Sequence, residues 1–235
     1  MKIKAKDKDD LQDLIEKQIA LNGNDCDLNC IDVSQVKEMS FLFFGSPFNG
    51  DISRWNTSKV KSMNYMFEKS KFNGDISAWD TSNVLSMNDM FYDSQFNGDI
   101  SNWNTSKVEN MKYMFAESQF NGDISQWNTS KVKNMSFMFS NSQFNGNISS
   151  WDVSSVMDME RLFSHCSFNA DLSQWNASNA LNISNMFYNC TATVPYWAKI
   201  KNLQERRYAI ESYQQKKQLE KTLEKKISNK LIVKL

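Results

Sequence analysis

One histidine, His165, is all that 235 residues supply of the side chain most used for acid–base and metal chemistry. No Gly-rich phosphate loop followed by lysine occurs, and no nucleophile motif, so no catalytic residue can be named. A repeated histidine column that would hold a metal array is missing, and nothing in the chain asks for a cofactor. Four cysteines are too few for a disulfide scaffold. No window approaches the roughly 20 apolar residues of a membrane span, and the longest apolar tract near the end is Leu231-Ile232-Val233. The lysines among residues 1–10 have no apolar stretch behind them to make a secretory signal, which predicts a cytoplasmic protein. Basic and acidic side chains number 27 each, so the whole molecule exerts no pull toward nucleic acid or an anionic membrane. The charge is unevenly placed all the same: residues 1–198 are net −7 and residues 199–235 net +7.

What the chain has in abundance is repetition. Phe48, Phe72, Phe96, Phe120, Phe144 and Phe168 recur every 24 residues, each opening the phrase Phe-Asn-(Gly/Ala)-(Asp/Asn)-(Ile/Leu)-Ser, and a tryptophan follows seven residues after each, from Trp55 to Trp175. An unbroken period of this size means that each unit is one coil whose apolar side chains are covered only by its neighbours. An earlier partial copy, Leu28, Ile31, Val36, Met39, Leu42 and Phe43, brings the number of coils to seven. At about 4.8 Å per coil the stack would be roughly 35 Å long.

Within the coil Phe48–Lys71, Phe48, Gly50 and Ile52 alternate with Asn49, Asp51 and Ser53, which predicts a short strand stacking in parallel. Val60, Met63, Met66 and Phe67 change to the i, i+3, i+6, i+7 spacing of a two-turn helix or 3₁₀ segment, with Ser58 as its cap. Cys166 and Cys190 continue the column Ser46, Ser70, Ser94, Ser118, Ser142, a small-residue site that predicts two buried free thiols. The column Asp51, Asp75, Asp99, Asp123, Asn147, Asp171 is the one candidate for a metal. Its carboxylates would repel by about 1 kcal/mol per neighbouring pair even in water. Asn147 shows that the property needed is an acceptor oxygen, which predicts turn capping of backbone N–H groups and no metal site.

Beside these fixed columns, positions 54, 59, 61, 64, 65, 68, 69 and their equivalents vary freely, and specificity has to reside there. Lys59, Lys107 and Lys131 share one such column and Tyr65, Tyr113 and Phe137 another, together predicting a basic, aromatic-edged protein-binding strip. Asp89 and Glu109 interrupt it, which argues against nucleic acid. The flanks read as caps. Leu11, Leu14, Ile15 and Ile19 form one helical stripe ending at Gly23, and residues 199–228 form a long helical pattern docking first through Trp197 and Leu203, its distal half polar enough to project.

The phrase Phe-Asn-Gly-Asp-Ile-Ser-x-Trp-(Asn/Asp)-(Thr/Val)-Ser-x-Val-x-x-Met-x-x-Met-Phe closely resembles the BspA-like leucine-rich-repeat family, also known as a Mycoplasma-type domain of unknown function, over about residues 24–191. The resemblance implies an α/β repeat: a leucine-rich-repeat-like right-handed solenoid of about seven 24-residue coils with a parallel β-sheet on one face. With helical caps at both ends, residues 1–23 form the N-terminal cap, 24–191 the solenoid, and 192–235 the C-terminal capping and basic helix. The function expected is a non-enzymatic, monomeric protein–protein interaction module. The family's cell-surface members make an adhesin the alternative, and the small size and repeat surface suggest a neutralising partner of a toxin or effector as a further one.

Overall fold

The backbone hydrogen bonds obey the 24-residue spacing. In the computed structural model, which describes residues 2–232 with side chains placed as far as Ile227, the N–H groups of Met63, Tyr65, Phe67 and Lys69 donate to Ser86, Asn88, Met90 and Tyr92 O of the following coil at 2.8–3.1 Å. The same set recurs at every junction from Met39 to His165. Lys61 N–H runs the other way, to Lys37 O at 2.8 Å, and parallel bridges join Glu38, Ser62, Ser86, Asn110, Asn134, Asp158 and Asn182. Successive coils therefore lie side by side in register.

The intervening peptide planes point within their own coil. Met66 N–H donates to Met63 O, Glu68 to Tyr65 O and Ser70 to Phe67 O, a run of overlapping turns. Left-handed backbone recurs four residues apart within this run, in the columns of Tyr65 and Lys69, with φ between 50° and 68° in non-glycine residues. Here the structure corrects the helix or 3₁₀ segment expected from Val60, Met63, Met66 and Phe67, which folds as turns. A helix would keep all its N–H bonds within the segment, whereas Met63 and Phe67 send theirs to the next coil, and a positive φ breaks a right-handed helix. Ser58 accordingly caps nothing. It donates its N–H to Asn56 Oδ1 at 3.2 Å in an Asx turn. The parallel pairing sits on this Met-Phe segment. The Phe48–Ser53 stretch, expected as the paired strand, carries the single bridge Asp27–Asp51 and a side-chain ladder in which Asn73 N–H donates to Asn49 Oδ1 at 2.8 Å, repeated as far as Asn169.

Three aromatic columns fill the interior. Rings of the Phe48 column stack 6.2–6.4 Å apart and those of the Phe43–Phe187 column 5.4–5.8 Å apart, all but Phe187 fully buried. Each such pair adds about 0.5–1.5 kcal/mol beyond the area it buries. The Phe96 ring folds over Gly98 so closely that a Cβ there would lie 2.9 Å from it, which favours glycine in this column, with Ala170 in its place in coil seven. The tryptophans form the third column, and each indole Nε1 donates to a carbonyl of the coil before it, Trp103 to Ile76 O at 3.1 Å. Cys166 is buried and Cys190 half-buried, both free. Burial pushes both thiols up from the ordinary value.

Both ends carry helices. Strand β1 (Ile3–Lys4) pairs in parallel with β2 (Ile31–Asp32) and leads into α1 (Lys8–Asn22). Asp7 accepts Asp10 N–H at 3.0 Å while Asp10 accepts Lys6 N–H at 2.8 Å, a reciprocal cap. Leu11 and Ile15 are buried, and Gly23, with φ 84°, ends the helix by donating to Ile19 O. At the other end a 3₁₀ turn (Tyr196–Lys199) buries Trp197 and precedes α2 (Leu203–Ile232). The helix seats itself through Arg206 and Ile210, each 1% exposed, and not through half-buried Leu203. Beyond Ile210 its described side chains are largely exposed, and those of the apolar triplet Leu231–Val233 lie outside the described residues. Among the described residues no helix is long and apolar enough to cross a membrane.

Candidate binding surface

Left-handed backbone at the Tyr65 column turns each of its side chains outward beside the ladder, so seven variable residues line up on one surface: Phe41, Tyr65, Asp89, Tyr113, Phe137, Arg161 and Asn185. Phe41 stacks on Tyr65 and Tyr113 on Phe137, both with centroids 4.5 Å apart. Cations cover the aromatic faces: Lys8 over Phe41 at 5.6 Å, Lys112 over Tyr113 at 5.2 Å and Arg161 over Phe137 at 5.7 Å. Tyr92, from the neighbouring Glu68 column, meets Tyr113 edge-on at 6.0 Å. A depression of about 360 Å³ opens there, lined by Tyr92, Tyr113, Glu117, Phe137, Arg161 and His165.

Asp89 sits between the two aromatic pairs. Burial pushes its carboxyl up to about 6, helped by the nearby Glu68 carboxylate and opposed by Lys112 and by hydrogen bonds from Asn88 and Tyr65. The residue read from the sequence as an interruption is thus part of the column, held among aromatic rings. Glu117 accepts a hydrogen bond from Asn141 Nδ2, and His165 Nδ1 lies 3.0 Å from Asn189 Nδ2.

The two halves of the expected strip occupy separate columns. Lys59 Nζ donates to Gln35 Oε1 at 2.8 Å and Lys107 Nζ to Asn83 Oδ1 at 2.7 Å, and Lys131 is exposed in the same column. Among the described residues no hydrogen bond or cation–π contact joins these lysines to Tyr65, Tyr113 or Phe137. The cations that do meet the rings, Lys8, Lys112 and Arg161, were not singled out from the sequence. Arg161 had a signal, since it lies 24 residues after Phe137 in the aromatic column itself.

The aspartate column does what its one asparagine suggested. Asp75 Oδ1 accepts Ser77 N–H at 2.9 Å, with the same bond at Asp51, Asp99, Asp123 and Asp171 and its counterpart at Asn147. Those backbone bonds are the main cause holding the carboxyls of Asp51, Asp75, Asp99 and Asp123 below the ordinary range. Among the described residues no group of three or more His, Cys, Asp or Glu is arranged to hold a metal ion.

Coils whose interior columns are committed to stacking, and whose variation falls on outward columns, define a repeat scaffold. The family model described as Mycoplasma protein of unknown function, DUF285, matches residues 9–119 and again 117–220, and the chain belongs to that family. No curated protein and no solved structure is matched by the chain.

Proposed function

We propose that this chain is a non-enzymatic, monomeric scaffold that presents the row from Phe41 to Arg161 to a protein partner inside the cell, its coils wound as a right-handed solenoid of the leucine-rich-repeat kind. The observation that carries the reading is the Tyr113–Phe137 pair: two stacked, half-buried rings on a surface position, flanked by Arg161 and Lys112 and opening onto a depression. Aromatic and arginine side chains of this kind dominate binding energy at protein interfaces. The net −7 of residues 1–198 supports a protein partner over nucleic acid. Lys59, Lys107 and Lys131, in a separate column, would act on encounter rate in a salt-dependent way and contribute little to the lifetime of the complex.

The test compares capture from native lysate by the wild type, by Tyr113→Ala and by Lys107→Glu/Lys131→Glu. A protein retained by the wild type and lost, or weakened more than about tenfold, with Tyr113→Ala at unchanged melting temperature supports the row as the interface. Equal capture by all three proteins removes the row from consideration. Recovery of glycans or matrix components in place of a protein would favour the adhesin reading.

A further inference from the structure

The coil junctions are polar in direction. At each one the earlier coil offers a carbonyl, from the Lys61 column, and then four N–H groups on alternate residues, and the later coil answers with one N–H and four carbonyls. Coil seven has no coil after it. Among the described residues Leu181 O finds no donor, and the N–H groups of Ile183, Asn185, Phe187 and Asn189 find no acceptor. Residues 205–213, which the 24-residue period would place against this edge, belong to α2 and spend their backbone within the helix. The edge is open to the side chains as well: Ile183 and Phe187 are only half-buried, where their counterparts in the six earlier coils are buried.

A cavity of about 540 Å³ lies along this edge, walled by Leu181, Phe187, Tyr188, Val194, Lys201 and Arg206. No acidic side chain lines it. Arg206 is 1% exposed and meets no carboxylate among the described residues. Its two terminal nitrogens donate to Ile200 O and Ala180 O, and its Nε has no partner. A buried guanidinium, a lysine and four aligned N–H groups with no negative charge among them make a strongly electropositive wall.

We propose that this edge is a docking site, separate from the stretch of the row between Phe41 and Arg161, for an acidic segment of a partner protein that takes up the turns of a coil and adds to the stack after coil seven. A single oxyanion would satisfy one or two of the donors. A row of one acceptor followed by four donors on alternate residues is satisfied by a peptide backbone presenting one N–H and four carbonyls, as each coil does to the one before it. Carboxylates on the segment answer Arg206 and Lys201, and its apolar side chains cover Ile183 and Phe187.

The chain contains a probe of that chemistry. The stretch Met157-Asp158-Met159-Glu160-Arg161-Leu162-Phe163-Ser164 gives coil five one N–H and four carbonyls. As a synthetic peptide with blocked ends, it is titrated into the full-length, isotopically labelled protein while amide resonances and exchange rates are followed by NMR. The expected result is that the Ile183, Asn185, Phe187 and Asn189 amides shift and exchange at least tenfold more slowly, while Met159 and Arg161, already bonded, do not respond. Replacing Asp158 and Glu160 of the peptide by Asn and Gln, or Lys201→Glu in the protein, should weaken binding more than fivefold, and Tyr113→Ala should leave it unchanged. The proposal is overturned if the four amides are indifferent to millimolar peptide, if a scrambled peptide shifts them equally, or if inorganic phosphate alone reproduces the effect.

Discussion

The indole Nε1 of Trp197 donates to Leu172 O at 3.1 Å, the bond that every tryptophan of the repeat makes to the coil before it, although Trp197 follows Trp175 by 22 residues and lies outside the repeat. The tryptophan column thus has a seventh member borrowed from the cap. It covers the last coil and gives the Leu172 carbonyl a second donor beside Trp175 N–H, which also lies 3.1 Å from it.

Trp197→Phe should therefore destabilise by more than its lost ring area. The Leu172 carbonyl keeps Trp175 N–H and loses only the indole donor, at about 0.5–1.5 kcal/mol, and Trp197→Ala adds a cavity for about 3–5 kcal/mol in all. Urea melts measure both. An unchanged midpoint for the phenylalanine variant would mean that the cap is held by α2 alone.

Phe96 lies between Phe72 and Phe120 at 6.3 Å from each and stacks on Phe91 at 4.4 Å. Because both neighbours belong to fixed ladders, the space left by Phe96→Ala cannot collapse, and the cost is expected at about 3–5 kcal/mol. Gln126→Ala, at an exposed variable position, should stay within about 0.5 kcal/mol of the wild type. The pair of melts separates ladder from surface.

Much of this was legible from the repeat, because every coil had to solve the same packing problem and so marked its inward residues as invariant. Phe48, Trp55, Val60, Met63 and Phe67 were read as core and are buried. The backbone beneath them was misread. Apolar residues at Met63, Met66 and Phe67 have helical spacing, yet alternating right- and left-handed turns bring the same positions to one side. The sign of those turns was in the exposed columns, where Gly45, Asp93, Asn141 and Asn189 share the Lys69 position, residue types that tolerate positive φ. The seating of α2 by Arg206 left no apolar signal to read, since its guanidinium is held by two carbonyls.

Glu117 tests that backbone. It is exposed and holds φ 58°, a conformation that favours glycine. Glu117→Gly should stabilise by about 1 kcal/mol through relief of left-handed strain, whereas glycine at exposed Gln126, which has no positive φ, should gain nothing. Destabilisation at Glu117 as large as at Gln126 would contradict the turn ladder.

The aspartate column makes a prediction about calcium and one about acid. With their oxygens engaged by backbone N–H groups, Asp51, Asp75, Asp99 and Asp123 should leave thermal melts in excess calcium and in chelator within about two degrees of each other. A rise of many degrees with calcium would make them ligands. Their folded pKa values are depressed, so the stability they contribute is present above the unfolded carboxylate pKa of about 4 and is lost as pH falls through the folded values.

Asp89 works in the opposite sense. Its folded pKa, about 6, lies above the unfolded value, so its contribution is complete below about pH 4 and is lost as pH rises through about 6. At pH 7 the carboxylate is charged between Tyr65 and Tyr113 beside Glu68, at a cost that solvent screening reduces to about 1–2 kcal/mol. Asp89→Asn should therefore be more stable than the wild type by that amount at pH 7 and equal to it near pH 4, as urea midpoints at the two values would show. The same substitution reports on the aromatic row. If the row binds a partner, removing the one negative charge between its two stacked pairs should change the affinity for that partner at pH 7 and abolish the change in affinity that the wild type shows between pH 5 and 7. A wild-type affinity flat across that range, with Asp89 titrating near 6 by NMR in the free protein, would place the interface away from Asp89.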